Sequence, residues 1–374
     1  MTLKILHVID SLNQSMGGPP QVCAFLLAEQ AREHECWVAS YASNEEEVPL
    51  PDDVRRVTIK GSGIKEKLLQ RESKLAFEAL DVPFDVLHLH NVWEPLLVAA
   101  SNFANNRKIP YVVTPHGMLD PWSMSQKATK KKIALTLGRR RTLERAKFIH
   151  VLNDQEKDGV RALGIKNRCE VIANGVDLEK VDAALDPVPF QQQSPEICRH
   201  PFVLFLSRLH YKKGLDILAA AAPEFFEKFP DWRIVVAGPD GGAQAKFEAS
   251  IAESGCSEKV HVIGPIYGER KFSLLANCEI FCLPSRQEGF SVAILEALSV
   301  SKPAAITSHC HFDEVATHNC GTVDSLDPAA ITKSLCKLAG SSKRKQMGQN
   351  GRKLVEEKYT WCRISEKLLA QYLS

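Results

Sequence analysis

A chain of 374 residues exceeds what one hydrophobic core usually serves, so two domains are expected, and an apolar content of 44% is that of a globular protein. With 47 basic against 45 acidic residues the formal net charge is +2, which excludes a global field drawing the molecule to nucleic acid. No apolar run reaches the roughly eighteen residues that span a bilayer, and eleven cysteines without a Cys-x-x-Cys pair suit a reducing cytoplasm better than a disulfide framework.

Along the chain, short β-branched runs recur, each closed by Gly, Pro, Asn or Ser and followed by a helical pattern. This is the signature of βα units on a parallel sheet, and the fold class is α/β. The opening stretch, Met1–Leu12, is too short and too strand-like for a signal peptide. Strands are predicted at Leu3–Ile9, Trp37–Tyr41, Val86–His90, Tyr111–Thr114, Phe148–Leu152 and Glu170–Ile172, with a helix over Gln21–Arg32. A second set falls at Phe202–Ser207, Arg233–Ala237, Val260–Ile263, Ile280–Leu283 and Ala304–Thr307. The Pro- and Gln-rich stretch Asp186–Pro195 lacks usable periodicity and is the linker candidate between the halves.

Open parallel sheets bind ligands at the carboxyl ends of their strands, so the residues just after each strand carry the argument. After the first strand, Gly17-Gly18 at a strand-to-helix turn lets backbone N–H groups approach an anion at a helix start; an ordinary tight turn is the competing reading. Gly61-Ser62-Gly63 begins like a dinucleotide fingerprint, but Glu66 stands where its third glycine belongs, and no P-loop is present. After Phe202–Ser207 come Arg208, Lys212 and Lys213-Gly214, a planar fork and mobile ammonium groups suited to a pyrophosphate; a solvated surface turn is the alternative. After Ile280–Leu283, a loop with Glu288-Gly289-Phe290-Ser291 leads into an apolar helix that carries Glu296. Eight helical residues span about 12 Å. The two carboxylates are thus too far apart for a glycosidase acid/base pair, roughly 5–9.5 Å, and read as two clamps on one long ligand.

Glu288-x7-Glu296, Arg208 with Lys213-Gly214, Gly17-Gly18 and Pro115-His116-Gly117 together resemble the retaining family 4 glycosyltransferases of the GT-B fold, over nearly the whole chain and in family order. The resemblance implies two Rossmann-like, doubly wound domains facing across a cleft: an acceptor-binding domain over 1–190, a nucleotide-sugar-binding domain over 191–360, and a terminal segment, 361–374, packing back on the first. It implies that Arg208 and Lys213 neutralise the donor diphosphate, helped by amides of Gly17 or Gly18 and of Phe290, Ser291 and Val292. Glu288, beside Gly289, would hold sugar hydroxyls, Glu296 the ribose, and Ile263 would present its backbone to the base. His116 would contact the sugar near the reacting face, and the catalytic set is His116, Arg208, Lys213 and Glu288. The chain departs from the family in reading Ala-Asn-Gly-Val-Asp at Ala173–Asp177, where proline is usual first, and in Ser291, which replaces a common glycine and narrows the sugar pocket.

These features imply transfer of a hexose with retention from a nucleotide sugar, UDP-hexose ahead of GDP-mannose, to a glycan or lipid-linked acceptor. The absence of an Asp-x-Asp after any strand leaves a divalent metal no obvious seat, so no metal and no cofactor are expected. A sugar-nucleotide epimerase and a non-catalytic sugar-nucleotide-binding protein are the rivals; the first needs further acid/base carboxylates near the pyrophosphate that do not stand out. His88-x-His90 and His309-x-His311 place paired rings on one strand face, yet no four-ligand zinc set is evident, so the structural reading is preferred. Lys127–Lys147 holds nine basic residues and one acid around Ile133, Leu135, Leu137 and Leu143. It reads as a segment meeting anionic headgroups, placing the protein in the cytoplasm with a peripheral hold on the membrane; a solvated helix face competes. Nucleic acid is disfavoured because no aromatic residue interleaves the run.

Overall fold

The structure is a computed structural model that describes residues 2–61, 63, 66 and 69–374. Ser62, within the discarded dinucleotide fingerprint, lies outside the described residues. The chain divides into two compact units, one formed by Met1–Asn174 with Ile364–Ser374, the other by Gly175–Arg363.

The first unit is built on a seven-stranded sheet: β1 (Lys4–Val8), β2 (Glu35–Tyr41), β3 (Arg55–Ile59), β4 (Val86–His90), β5 (Tyr111–Thr114), β6 (Phe148–Val151) and β7 (Cys169–Val171). Its order is β3-β2-β1-β4-β5-β6-β7. The second unit carries β8 (Phe202–Leu206), β9 (Arg233–Ala237), β10 (Val260–Gly264), β11 (Ile280–Leu283), β12 (Ala304–Thr307) and β13 (Gly321–Asp324), in the order β10-β9-β8-β11-β12-β13. Every pairing between these strands is parallel. Each sheet is therefore doubly wound, with its order reversing beside the first strand, at β1/β4 and β8/β11. Central strands such as β4, β8 and β11 are buried along their whole length, because helices cover both faces of a parallel sheet, and this is why they read as continuous apolar runs.

Five helices matter below: α1 (Gly18–Gln30), α2 (Asp154–Ala162), α3 (Leu215–Lys228), α4 (Val292–Ser299) and α5 (Trp361–Leu373). Two strands, β3 and β13, were not anticipated. Both are edge strands, and β3, Arg-Arg-Val-Thr-Ile, buries only Ile59, so neither offers the apolar run that marks a central strand. The anticipated linker is a correction of the opposite kind. Asp186–Pro195 holds the short helix Val188–Gln193, and Pro195–Cys198 follows as another. Phe190 and Ile197 are buried, the Phe190 N–H donates to Ser273 Oγ at 3.0 Å, and the whole stretch lies within the second unit. The division falls earlier, between Asn174 and Gly175, and α5 crosses it, with residues from Ile364 onward grouping with the first unit. All eleven cysteines are free thiols. Among the described residues no helix is long and apolar enough to cross a membrane.

Candidate active site

In the second unit the polar groups gather where the strand order reverses. Arg208 and Lys213 follow β8, and Glu288 follows its neighbour β11. The two loops touch through backbone: Gly214 sits at φ +73°, and a Cβ there would lie 1.9 Å from Pro284 O, so no other residue fits. Arg286 fastens the same contact. Its N–H donates to Lys212 O at 2.7 Å, its guanidinium reaches Asp216 at the start of α3 with two bonds of 2.7 and 2.6 Å, and its plane lies 4.2 Å from the Tyr211 ring centre.

Within this frame Lys213 Nζ donates to both Glu288 oxygens, at 2.6 and 2.8 Å, and Ser285 Oγ donates to Glu288 Oε1 at 2.6 Å. Glu288 is 6% exposed, and a carboxylate so buried is held only by such partners. Arg208, in contrast, is exposed, with its stem packed over Gly241. Gly289 and Phe290 lead into α4, Phe290 being fixed by the rings of Tyr359 and Phe312 at 5.9 and 5.5 Å. Ser291 is the buried N-cap but makes no side-chain cap, which leaves the amides at Val292 and the rest of the first turn open to a ligand. Glu296 lies on the second turn and accepts from Lys271 Nζ at 2.5 Å. On β10 the ladder steps from Val262 to Gly264, skipping Ile263, so this residue's main chain is released from pairing by a bulge.

The first unit, taken by itself, carries Gly17, Gly18 and His116. Gly17 has φ +86° and its N–H already donates to Gln14 O at 3.3 Å. Pro19 and Pro20 bring no N–H to the first turn of α1, which leaves Gly18 as the amide there. His116 stands after β5 at φ +54°, half-buried, with its Nε2 3.0 Å from His90 Nδ1. His90 Nε2 lies 2.9 Å from His7 Nδ1, and His7 Nε2 lies 2.8 Å from Gln30 Oε1. Alongside runs a second line: Tyr372 Oη to His88 Nδ1 at 2.6 Å, His88 Nε2 to Thr114 Oγ1 at 2.6 Å, Thr114 Oγ1 to His150 Nδ1 at 2.8 Å, and His150 Nε2 donating to Ile172 O at 2.7 Å. Burial keeps these imidazoles neutral, pushing His7 and His150 down to about 4 and His116 to about 3, and lowering His88 and His90 well below the ordinary imidazole value with help from neighbouring rings. His7, His88 and His90 are close enough to share a metal ion, but both nitrogens of each ring are engaged in the bonds just given. Glu156 on α2 braces the turn after His116: it accepts from Gly117 N–H at 2.5 Å and Leu152 N–H at 2.8 Å, and burial pushes its carboxyl up to about 7.

Two family matches divide the chain between them. Residues 189–354 match the family described as Glycosyl transferases group 1, and residues 16–180 match Glycosyltransferase Family 4. Taken together, the two matches make the chain a glycosyltransferase of the group 1 / family 4 type. Among relatives of this glycosyltransferase, an uncharacterised glycosyltransferase of Methanocaldococcus jannaschii is 24% identical over 310 residues, covering 81% of this chain and 78% of its own. The GDP-mannose:cellobiosyl-diphosphopolyprenol alpha-mannosyltransferase of Xanthomonas oryzae is 26% identical over 320 residues, covering 79% and 76%. The fold matches that of Anabaena HepE solved with UDP and glucose, with a TM-score of 0.73, 17% identity and 98% of each chain covered. Both units thus have the Rossmann-like form of the GT-B fold.

The structure brings Lys213 and Glu288 into direct contact, and it places Arg208 in the loop that carries Lys213. It also shows groups that the sequence reading did not single out: Lys271, Ser285, Glu156, His7, Gln30 and Tyr372. Ser285 stood three residues before Glu288, a visible neighbour. His7 lay mid-strand in an apolar run, where a histidine must find polar company, and that was the available signal.

Proposed function

We propose that this glycosyltransferase moves a hexose with retention from a nucleoside diphosphate sugar, UDP-hexose ahead of GDP-mannose, to a glycan or lipid-linked acceptor. The observation that carries the reading is the Lys213–Glu288 pair at the strand reversal of the second sheet, with Arg208 exposed beside it. Two of the three Lys213 protons occupy Glu288, leaving one for a phosphate oxygen, while Arg208 offers its fork. As the sugar–phosphate bond lengthens, negative charge gathers on the diphosphate, and preorganised cations with open amides at the start of α4 stabilise it most. Glu288 holds hydroxyls of the sugar as it turns oxocarbenium-like. Glu296, fixed through one oxygen by Lys271, keeps the other for the ribose, and the unpaired main chain at Ile263 meets the base. Attack comes from the face the phosphate leaves, without a carboxylate nucleophile.

In the first unit a hollow of about 470 Å³ lined by Asp10, Ser11, Asn13, Tyr41, Glu45 and Glu94 suits an acceptor rich in hydroxyls. The membrane reading of Lys127–Lys147 narrows in the same way. Lys131, Arg139, Arg140 and Lys147 are bound to main-chain carbonyls, which leaves Lys127, Lys130, Lys132, Arg141 and Arg145 outward beside exposed Ile133 and Leu137. No step calls for a divalent cation. Thermal-shift measurements with UDP, GDP and ADP test the donor, because a ligand of the folded state raises its stability by mass action. UDP should give the largest shift. Donor hydrolysis or transfer that survives EDTA separates an enzyme from a binding protein, and complete loss restored by manganese or magnesium would overturn metal independence.

A further inference from the structure

At the reversal point of the first sheet, between β1 and β4, one buried side chain lacks a partner. Asp10 stands two residues past β1, and Asn91 follows β4 directly, in the left-handed region at φ +78°. Asn91 Nδ2–H donates to Asp10 Oδ1 at 2.5 Å, which fixes the amide and turns its oxygen to the other side. That oxygen has no hydrogen-bond partner, although Asn91 is only 6% exposed. Buried amide oxygens are almost always paired, so this one marks a place where a donor from outside completes the set.

Two hollows open on this pair. One, of about 160 Å³, has Asn91, Trp93 and Met118 in its wall, and the other is the hollow of about 470 Å³ that reaches Glu45. Asp10, Ser11, Met16 and Glu94 line both, which makes them one continuous space. Three carboxylates, Asp10, Glu45 and Glu94, therefore face it, and no lysine, arginine or histidine is in either wall. The cations in the neighbourhood are engaged elsewhere. Arg139, which feels the charge of Glu94, donates from Nε and Nη2 to Trp93 O at 3.3 and 3.2 Å. Arg56 lines a third hollow beyond Glu45 and is paired with Glu47 at 2.7 Å.

We infer that these joined hollows take a saccharide carrying a free amino group, whose ammonium meets Asp10 and Glu94 while a hydroxyl completes Asn91 Oδ1. As a statement about the acceptor, this rests on the sugar-transfer reading and narrows it from hydroxyl-rich to amine-bearing. A concave wall of one sign concentrates ligands of the other. Uronic acids and sugar phosphates would bring negative charge against three carboxylates with no cation to receive them, and are turned away. A neutral sugar satisfies Asn91 but leaves the carboxylates without a counter-charge. Any phosphate of a lipid-linked acceptor lies outside these hollows.

The test is a set of saturation-transfer NMR titrations of the full-length protein with methyl glycosides, in gluco and galacto forms, of the free amine, the N-acetylated amine, the neutral hexose and the uronic acid. A free amine should bind about tenfold more tightly than its N-acetylated form, the strength of one hydrogen bond to a charged group, and the uronic acids most weakly. Added salt should weaken the amine alone. Asp10→Asn should abolish the preference. Should that variant not fold, Glu45→Gln, at an exposed position, should reduce it. Amines that bind no better than their N-acetylated forms, uronic acids that bind as well as amines, or a preference unchanged in the variants overturns the inference. A thermal shift with UDP on the same protein separates it from the donor reading. An amine preference without UDP binding leaves the site and removes its acceptor role, whereas UDP binding without the preference overturns the inference alone.

Discussion

Both units place polar side chains at the reversal point of a doubly wound sheet, and they do so with opposite chemistry. The second gathers full charges, Arg208, Lys213 and Glu288, in short loops after β8 and β11. The first runs neutral imidazoles through its core from β1, β4, β5 and β6. The difference teaches how the two kinds of polar group are kept in a fold: charges sit in loops, held by opposite charges and partly solvated, whereas neutral polar groups in a core require a chain of partners.

The largest expected effect breaks the charged side of the comparison. Arg208→Ala or Lys213→Ala should each lower kcat by about 10²–10³, as loss of one preorganised charge-stabilising donor does. Steady-state rates within twofold of wild type for both would remove the phosphate assignment. The histidine side answers to acid instead. Each ring has a folded pKa below its ordinary 6.5, so the unfolded chain binds more protons, and stability is whole above pH 6.5 and falls as pH drops toward 4. The slope is up to about 1.4 kcal/mol per pH unit for each histidine. Glu156 works the other way, because its raised pKa favours the folded state as the pH falls from 7 toward 4.5, but it is one group against five. Urea unfolding at pH 7 and pH 5 should show a clear loss at pH 5; equal stability at both would mean that the rings are not buried and neutral.

Smaller effects separate residues within the charged region. Glu288→Gln should chiefly depress kcat, since contacts to the distorting sugar act in the transition state, and Glu296→Gln should chiefly raise donor KM. Inhibition by the free nucleoside diphosphate discriminates them: its Ki should rise in Glu296→Gln alone, and equal changes in both would end the division of labour. Smallest is the membrane effect, where each exposed cation of Lys127–Lys147 contributes about 1 kcal/mol at an anionic surface and less as salt is added. Sedimentation with neutral and anionic vesicles checks it, and equal binding to both would sink the idea.

Most of the fold was legible because central parallel strands are buried on both faces, so β4 and β11 announce themselves as apolar runs with their site residues just beyond. Edge strands β3 and β13 pack on one side only and carry no such mark. The helices around Phe190 and Ile197 hid in a Pro- and Gln-rich stretch because two buried side chains suffice to dock short helices against Ser273 and Asn277. In the site, Arg208, Lys213, Glu288 and Glu296 stood in recognisable local patterns. Lys271, Gln30 and Tyr372 did not, since each acts on a group distant in sequence, and spacing carries no information about such partners.

The close approach of Gly214 to Pro284 also bears on when the site comes into being. Lys213 and Glu288 are 75 positions apart, and the backbone contact that joins their loops forms only after β8 and β11 have paired across that separation. Such distant contacts close late, after local helices and turns. A chain that has folded its helices but not docked these strands leaves the lysine and the carboxylate apart in water, each fully hydrated and neither poised for a diphosphate. On the proposed role of this pair, donor binding would report completed folding of the second unit.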